Sequence, residues 1–142
     1  MMRSPLRTVL LACGAVGVGV LAWAGFTPIE TRTGAEREQL FEIPRGTWAR
    51  RMAGEKDLGI LPDEIRLTLG IRDILVLRNL DEVPQIFGPT LMMPGQSFKL
   101  PFEQASEYQF ACTAHASGQM RVIVYPYPAT PWARIMWRAR RL

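Results

Sequence analysis

The chain has 142 residues, 48% of them hydrophobic and 21% charged, with a formal net charge of +4. That length allows one domain plus a targeting or anchoring segment, and that balance excludes wholesale disorder. The positive charge sits at the ends: residues 25–130 hold 11 Lys/Arg against 13 Asp/Glu, so the globular part offers no basic face for nucleic acid.

Residues 1–26 open with Arg3 and Arg7, and Val9 to Phe26 then form an apolar run of 18 residues. This is the pattern of an export signal, with Ala22-Trp23-Ala24 as a small-x-small cleavage site, and it is also just long enough for a membrane anchor. Both outcomes stay open. The arginines would keep the N-terminus cytoplasmic and place residues 27–142 in the periplasm or outside the cell. Residues 27–39 are polar and charged and read as a linker, with Glu36, Arg37 and Glu38 as solvated charge.

Residues 40–127 read as short strands separated by turns. Leu40 to Ile43 leads through Pro44-Arg45-Gly46 into a further extended stretch, Thr47 to Met52. Glu64 to Leu69 alternates strictly, Gly70 to Asp73 turns, and Ile74 to Asn79 follows. Pro94-Gly95 opens a strand with Phe98, Leu100 and Phe102 on one face; Glu107 to Ala111 and Arg121 to Tyr125 complete the set. About seven such strands predict an all-β sandwich. In residues 128–142, Thr130 and Pro131 can start a helix with Trp132, Ile135, Met136, Ala139 and Leu142 on one face and Arg134, Arg138 and Arg141 on another. A basic amphipathic tail suits a membrane surface or a partner protein, and the alternative is a solvated terminus.

The segment Cys112-Thr113-Ala114-His115-Ala116-Ser117-Gly118-Gln119-Met120 places a thiolate, an imidazole and a thioether at Cys-x2-His-x4-Met spacing between two core strands. These donors suit copper, because sulfur and imidazole prefer a soft or borderline metal. Cys13 lies in the N-terminal apolar run, so Cys112 has no evident disulfide partner. Metal ligation accounts for a lone thiol on an exported domain; a buried structural cysteine is the simpler alternative. His115 is the only histidine in the chain.

From Leu61 to Pro126 the sequence resembles the cupredoxins, the plastocyanin, amicyanin and azurin group of small exported copper proteins. The matching elements are Arg78-Asn79-Leu80-Asp81-Glu82-Val83-Pro84, the Pro94-Gly95 turn, Tyr108-Gln109-Phe110-Ala111-Cys112 and the ligand loop. The resemblance implies a Greek-key β-sandwich holding one copper ion for one-electron transfer. It makes Cys112 the thiolate ligand, His115 an imidazole ligand and Met120 the axial thioether. The family's other histidine follows the Val-Pro turn, and here that position is Gln85, a hard, neutral amide donor poorly matched to Cu(I).

Three readings follow. Copper sits on Cys112, His115 and Met120, with Gln85 or water in fourth place, and carries electrons between redox partner proteins or a membrane complex. Alternatively Met92 or Met93 adds a sulfur, favouring Cu(I) binding and delivery. In the third, the domain is a metal-free subunit or interaction module of a membrane complex. An enzyme is not expected: a Cys112/His115 pair lacks an identifiable oxyanion site, and adjacent Asp81 and Glu82 read as turn residues.

Overall fold

The computed structural model describes residues 17, 19–55, 58–115 and 117–140. The charged N-terminal segment, half of the apolar run, Cys13, Arg141 and Leu142 lie outside those residues. The chain divides into two compact units, Thr31–Tyr127 and a second made from Met1–Glu30 with Pro128–Leu142.

The larger unit is built from strands. β1 (Glu38–Ile43), β3 (Ile74–Asn79) and β6 (Ser97–Pro101) form one sheet in the order β1-β3-β6. β2 (Glu64–Thr68), β8 (Gln119–Tyr125) and β7 (Glu107–Ala111) form another in the order β2-β8-β7. Alternation decides which side chains enter the core. Ile65 and Leu67 of β2 and Met120, Val122 and Val124 of β8 are buried, while the intervening Arg66 and Arg121 are exposed. These residues join Leu75 and Leu77 of β3 in one hydrophobic cluster, so the two sheets face each other across a shared core. The β-rich two-sheet arrangement expected from the alternation is the one found.

Pairing adds what periodicity does not reveal. β1 lies parallel to β3 and β2 parallel to β8, whereas β3–β6 and β7–β8 are antiparallel. A parallel pair cannot be closed by a tight turn. The chain therefore leaves β1, visits the opposite sheet as β2, and returns as β3.

Two short strands, β4 (Gln85–Phe87) and β5 (Thr90–Met92), form a hairpin that the sequence pattern did not signal. β4 lies beside the end of β7 through an antiparallel bridge between Phe87 and Cys112. Gly88 donates its N–H to the Ala111 carbonyl at 2.7 Å, and Thr113 donates to Ile86 O at 3.1 Å. Gly88 has φ of +54°, and a Cβ there would meet Phe110 Cδ1 at 3.0 Å. Only glycine suits that position. The rings of Phe87 and Phe110 lie 5.0 Å apart beneath the hairpin.

Residues 47–52 are helical rather than extended: α1 spans Thr47–Met52. The cause lies outside the segment. Gly46 takes φ of +81°, and the distant Asp81 carboxylate accepts the N–H groups of Gly46 at 2.9 Å and Trp48 at 2.8 Å. A carboxylate on unpaired N-terminal donors stabilises a helix too short to stand alone. At the other end of the unit, Arg37 makes a two-pronged contact with buried Asp73, at 2.7 and 2.6 Å, and Gly70 N–H adds a third bond at 2.8 Å. Arg37 is thus a structural partner rather than a solvated charge.

Burial opposes ionisation of Asp73 and Asp81. Hydrogen bonds from Arg37 and Gly70 and the Arg37 charge in one case, and from Trp48, Glu82, Gly46 and Gln85 in the other, outweigh it and hold both carboxyls below their ordinary value. A depressed folded pKa means that the unfolded chain takes up the proton first as pH falls. The stabilisation is therefore complete above the unfolded value of about 3.9 and is lost as pH drops through the folded values. Urea unfolding from pH 7 to pH 2.5 should show this decline. Asp81→Asn should cost about 1.5–3 kcal/mol at neutral pH, and its deficit relative to the parent should shrink towards pH 3.

Candidate metal centre

The end of the sandwich beside β4 carries the sulfur and imidazole side chains. Tyr108 and Phe110 of β7 face inwards, and the same alternation carries Cys112 into the core. On β8, Met120 pairs with Phe110 and is fully buried. Cys112 therefore stands one step along from the Phe110–Met120 pair on the same inward face. Such diagonal neighbours lie about 7–8 Å apart, within reach of two sulfur side chains around one ion.

The loop between them is closed by the backbone. Cys112 donates to Gly118 O at 2.9 Å, His115 to Cys112 O at 3.3 Å, and Gly118 to His115 O at 3.1 Å. Gly118, with φ of +75°, makes the reversal. His115, between the two sulfur residues in sequence, is 7% exposed and lies with Met120 at the lining of an open cleft of about 340 Å³. Asp63, Glu64, Ser117 and Arg121 share that rim.

The backbone N–H of Ser117 points at His115 Nδ1 at 3.3 Å, and Ser117 Oγ lies 2.8 Å from it. Ser117 Oγ in turn donates to Gln119 O at 3.0 Å, so the serine ties the imidazole to the end of the loop. Nε2 lies 3.5 Å from Asp63 Oδ1. The Cys112 thiol is pushed up by burial, against the opposing pull of the Ala114 and His115 backbone N–H groups and the Arg51 charge.

Gln85 is brought to the same place, buried at the start of β4. Its amide is already engaged. Thr113 Oγ1 donates to Gln85 Oε1 at 2.6 Å, Gln85 Nε2 donates to Asp81 Oδ2 at 3.3 Å, and Thr113 Oγ1 accepts from Ile86 N–H at 2.9 Å. Gln85 thus ties the ligand loop to the Asp81 carboxylate. Met92 pairs with Gln85 across the hairpin and is buried in the hydrophobic cluster, whereas Met93 is exposed.

Among the described residues no three His, Cys, Asp or Glu side chains converge on one point. A metal held here would need Met120 beside Cys112 and His115. Two sulfurs and one imidazole, held by a short closed loop and largely screened from water, suit Cu(I). The donor chemistry fits copper with these three residues, and Gln85 contributes through hydrogen bonds.

Sequence reasoning missed Arg51 at this site. From α1 it donates Nη1 to Thr113 O and Nη2 to Ala114 O, the latter at 3.1 Å, gripping the loop between Cys112 and His115. Asn79 was also overlooked: its side chain donates to Val83 O at 2.9 Å and Met92 O at 3.0 Å and accepts from Asp81 N–H at 3.0 Å. No local pattern pairs residue 51 with residue 113. The stretch holding Arg51 looked extended, which would have turned it elsewhere.

No protein-family model and no curated protein matches the sequence. Among solved structures, the chain is similar to a purple cupredoxin from Nitrosopumilus maritimus, with 19% identity, 60% of this chain and 97% of that one covered, and a TM-score of 0.42. It is also similar to a proline-to-alanine variant of amicyanin in the oxidised state, at 18% identity, covering 69% of this chain and 91% of that one, with a TM-score of 0.43. A reduced tryptophan-to-tyrosine amicyanin variant gives 17% identity, 69% and 91% coverage, and a TM-score of 0.44. These structural neighbours are cupredoxins.

If Gln85 acts as a strut, Gln85→Ala should lower stability by about 1–3 kcal/mol by stripping partners from Thr113 and Asp81. Cu(I) affinity, measured by competition with a chromogenic chelator, should stay within about threefold of the parent. A loss of more than about a hundredfold would instead make the Gln85 oxygen a ligand.

Proposed function

We propose that the chain is an extracytoplasmic, cupredoxin-like protein that holds one copper ion through Cys112, His115 and Met120 and passes single electrons between redox partner proteins or to a membrane complex. The observation that carries this is the placement of two buried sulfurs on one inward face, at the two ends of a closed loop, with His115 between them at an open cleft. Copper bound there supplies a one-electron couple.

The protein's own contribution is preparation of the ligands. Cys112 provides the thiolate, and the Ala114 and His115 N–H groups stabilise its charge once the proton leaves. Met120 brings a neutral sulfur that water does not reach. His115 would supply the imidazole, and it stands at the cleft where a partner can approach. Arg51, Thr113 and Gln85 hold the loop so that little has to move when charge changes. A carrier fits better than an enzyme, because the Cys112 sulfur is buried out of reach of a substrate.

A metal-free interaction module is the second reading. It is favoured by the contacts that already satisfy Gln85 and His115 within the chain. Copper delivery is a variant of the first reading, with the same ligands and a different partner.

The test is anaerobic titration of the full chain with Cu(I). One ion per chain should bind, and Cys112→Ser should abolish binding. Because the thiol must lose its proton, apparent affinity should weaken about tenfold for each unit that pH falls below neutrality. Cu(II) should give only weak thiolate-to-copper absorption, and Gln85→His should strengthen it by adding a second imidazole beside Cys112. No copper at equilibrium would leave the interaction module standing.

Location is tested separately. A reporter enzyme joined after Leu142 should be active only outside the cytoplasm; activity inside would refute the proposed topology.

A further inference from the structure

The smaller unit contains an arrangement that the copper site does not use. Residues 19–26 are helical, and α2 (Pro131–Ala139) packs against them although the two segments are more than 100 residues apart in sequence. Gly25 is buried beneath α2: a Cβ there would meet Ile135 Cδ1 at 3.3 Å and Pro131 Cβ at 3.4 Å. The arginines of α2 do not form a solvated basic face. Arg138 donates Nη1 to Ala24 O and Nη2 to Thr27 O at 3.1 Å, and its guanidinium lies 5.6 Å from the Trp23 ring centre. Arg134 donates to Gly25 O at 3.3 Å and, within its own segment, to Ala129 O at 2.9 Å.

These are the carbonyls at the C-terminal end of the first helix, where intrahelical donors run out and partial negative charge collects. The small-x-small motif Ala22-Trp23-Ala24 lies inside this helix, and the carbonyls of Ala24 and Gly25 are held by α2. A peptidase would have to open the helix and break both arginine contacts to cut after Ala24.

The first helix is apolar on every side. Val20, Leu21, Trp23 and Phe26 are all more than half exposed. A helix of that kind needs an apolar surrounding larger than α2. The sequence identifies which one. The apolar run extends back to Val9, and residues 1–29 and 128–142 contain no Asp or Glu. Eighteen apolar residues match the thickness of a bilayer's hydrocarbon, and arginines with tryptophan at the end of such a run suit the headgroup boundary. No helix among the described residues is by itself long and apolar enough to cross a membrane.

We propose that the N-terminal apolar segment is not a cleaved leader: it is retained in a lipid bilayer and clasped at its membrane exit by Arg134 and Arg138 of α2. The occupant of the exposed apolar face is lipid. This inference is independent of metal binding.

The full chain should be expressed with a C-terminal tag and its fractions analysed by intact mass. A carbonate-washed membrane pellet should hold a chain that still contains residues 9–26. A chain beginning at Gly25, or an intact chain in the soluble fraction, would overturn retention. For the clasp, detergent-solubilised protein should be digested with a neutral protease. An Arg134→Gln, Arg138→Gln double variant should be cut between residues 22 and 30 about tenfold faster than the parent, with unchanged thermal unfolding of the larger unit. Equal rates would remove the clasp. If the variant's larger unit also melts earlier, Arg138→Lys decides: as it keeps a charged donor, it should restore most of the protection, and failure to do so would count against the clasp.

Discussion

The functional end of this protein depends on one buried carboxylate. Asp81 accepts N–H groups from Gly46, Trp48 and Glu82 of the backbone and from the Gln85 side chain. Burying an ion is costly unless its lone pairs are satisfied, and here four donors meet them. The result is a joint between three segments that are far apart in sequence. It starts α1, which the six residues would not form unaided. It also sets the direction of the chain into β4, and through Gln85 it reaches Thr113 in the ligand loop.

Once α1 is in place, its Arg51 can grip the carbonyls of Thr113 and Ala114. The ligand loop is then held from two sides, by β4 with Gln85 and by α1 with Arg51, and closed across its base by Cys112 and Gly118. Such a loop is shaped before any ligand arrives. That suits a centre whose charge changes without rearrangement, and it equally lets the loop keep its shape without metal. The Gln85 amide illustrates the trade. A side chain that serves as a hydrogen-bonded strut has less freedom to coordinate.

The charge distribution takes on a different meaning in three dimensions. In the sequence, the arginines near the C-terminus read as the polar face of an amphipathic tail. In the structure, Arg134 and Arg138 spend their donors on the backbone carbonyls of Ala24, Gly25, Thr27, Pro128 and Ala129. Thr130 does cap α2 as its residue type suggests, accepting from Ala133 N–H at 3.2 Å. Local rules place the helix start correctly, while the role of its arginines depends on a partner segment more than 100 residues away.

What the sequence determined by itself is what short-range periodicity and residue chemistry can carry. Alternating Ile65/Leu67, Phe98/Leu100/Phe102 and Val122/Val124 specify strands with one inward face, because the side-chain period of two is a property of the extended backbone. The spacing of Cys112, His115 and Met120 on one loop between two strands is likewise legible in the sequence, because it is local. Tertiary structure decided the rest. Parallel pairing of β1 with β3 and of β2 with β8, the β4–β5 hairpin, the helical state of residues 47–52 and the engagement of Gln85 all depend on groups distant in the chain. The same Thr47–Met52 segment would have little reason to be helical without Asp81, which lies 33 residues beyond Trp48 and meets it only through the tertiary fold.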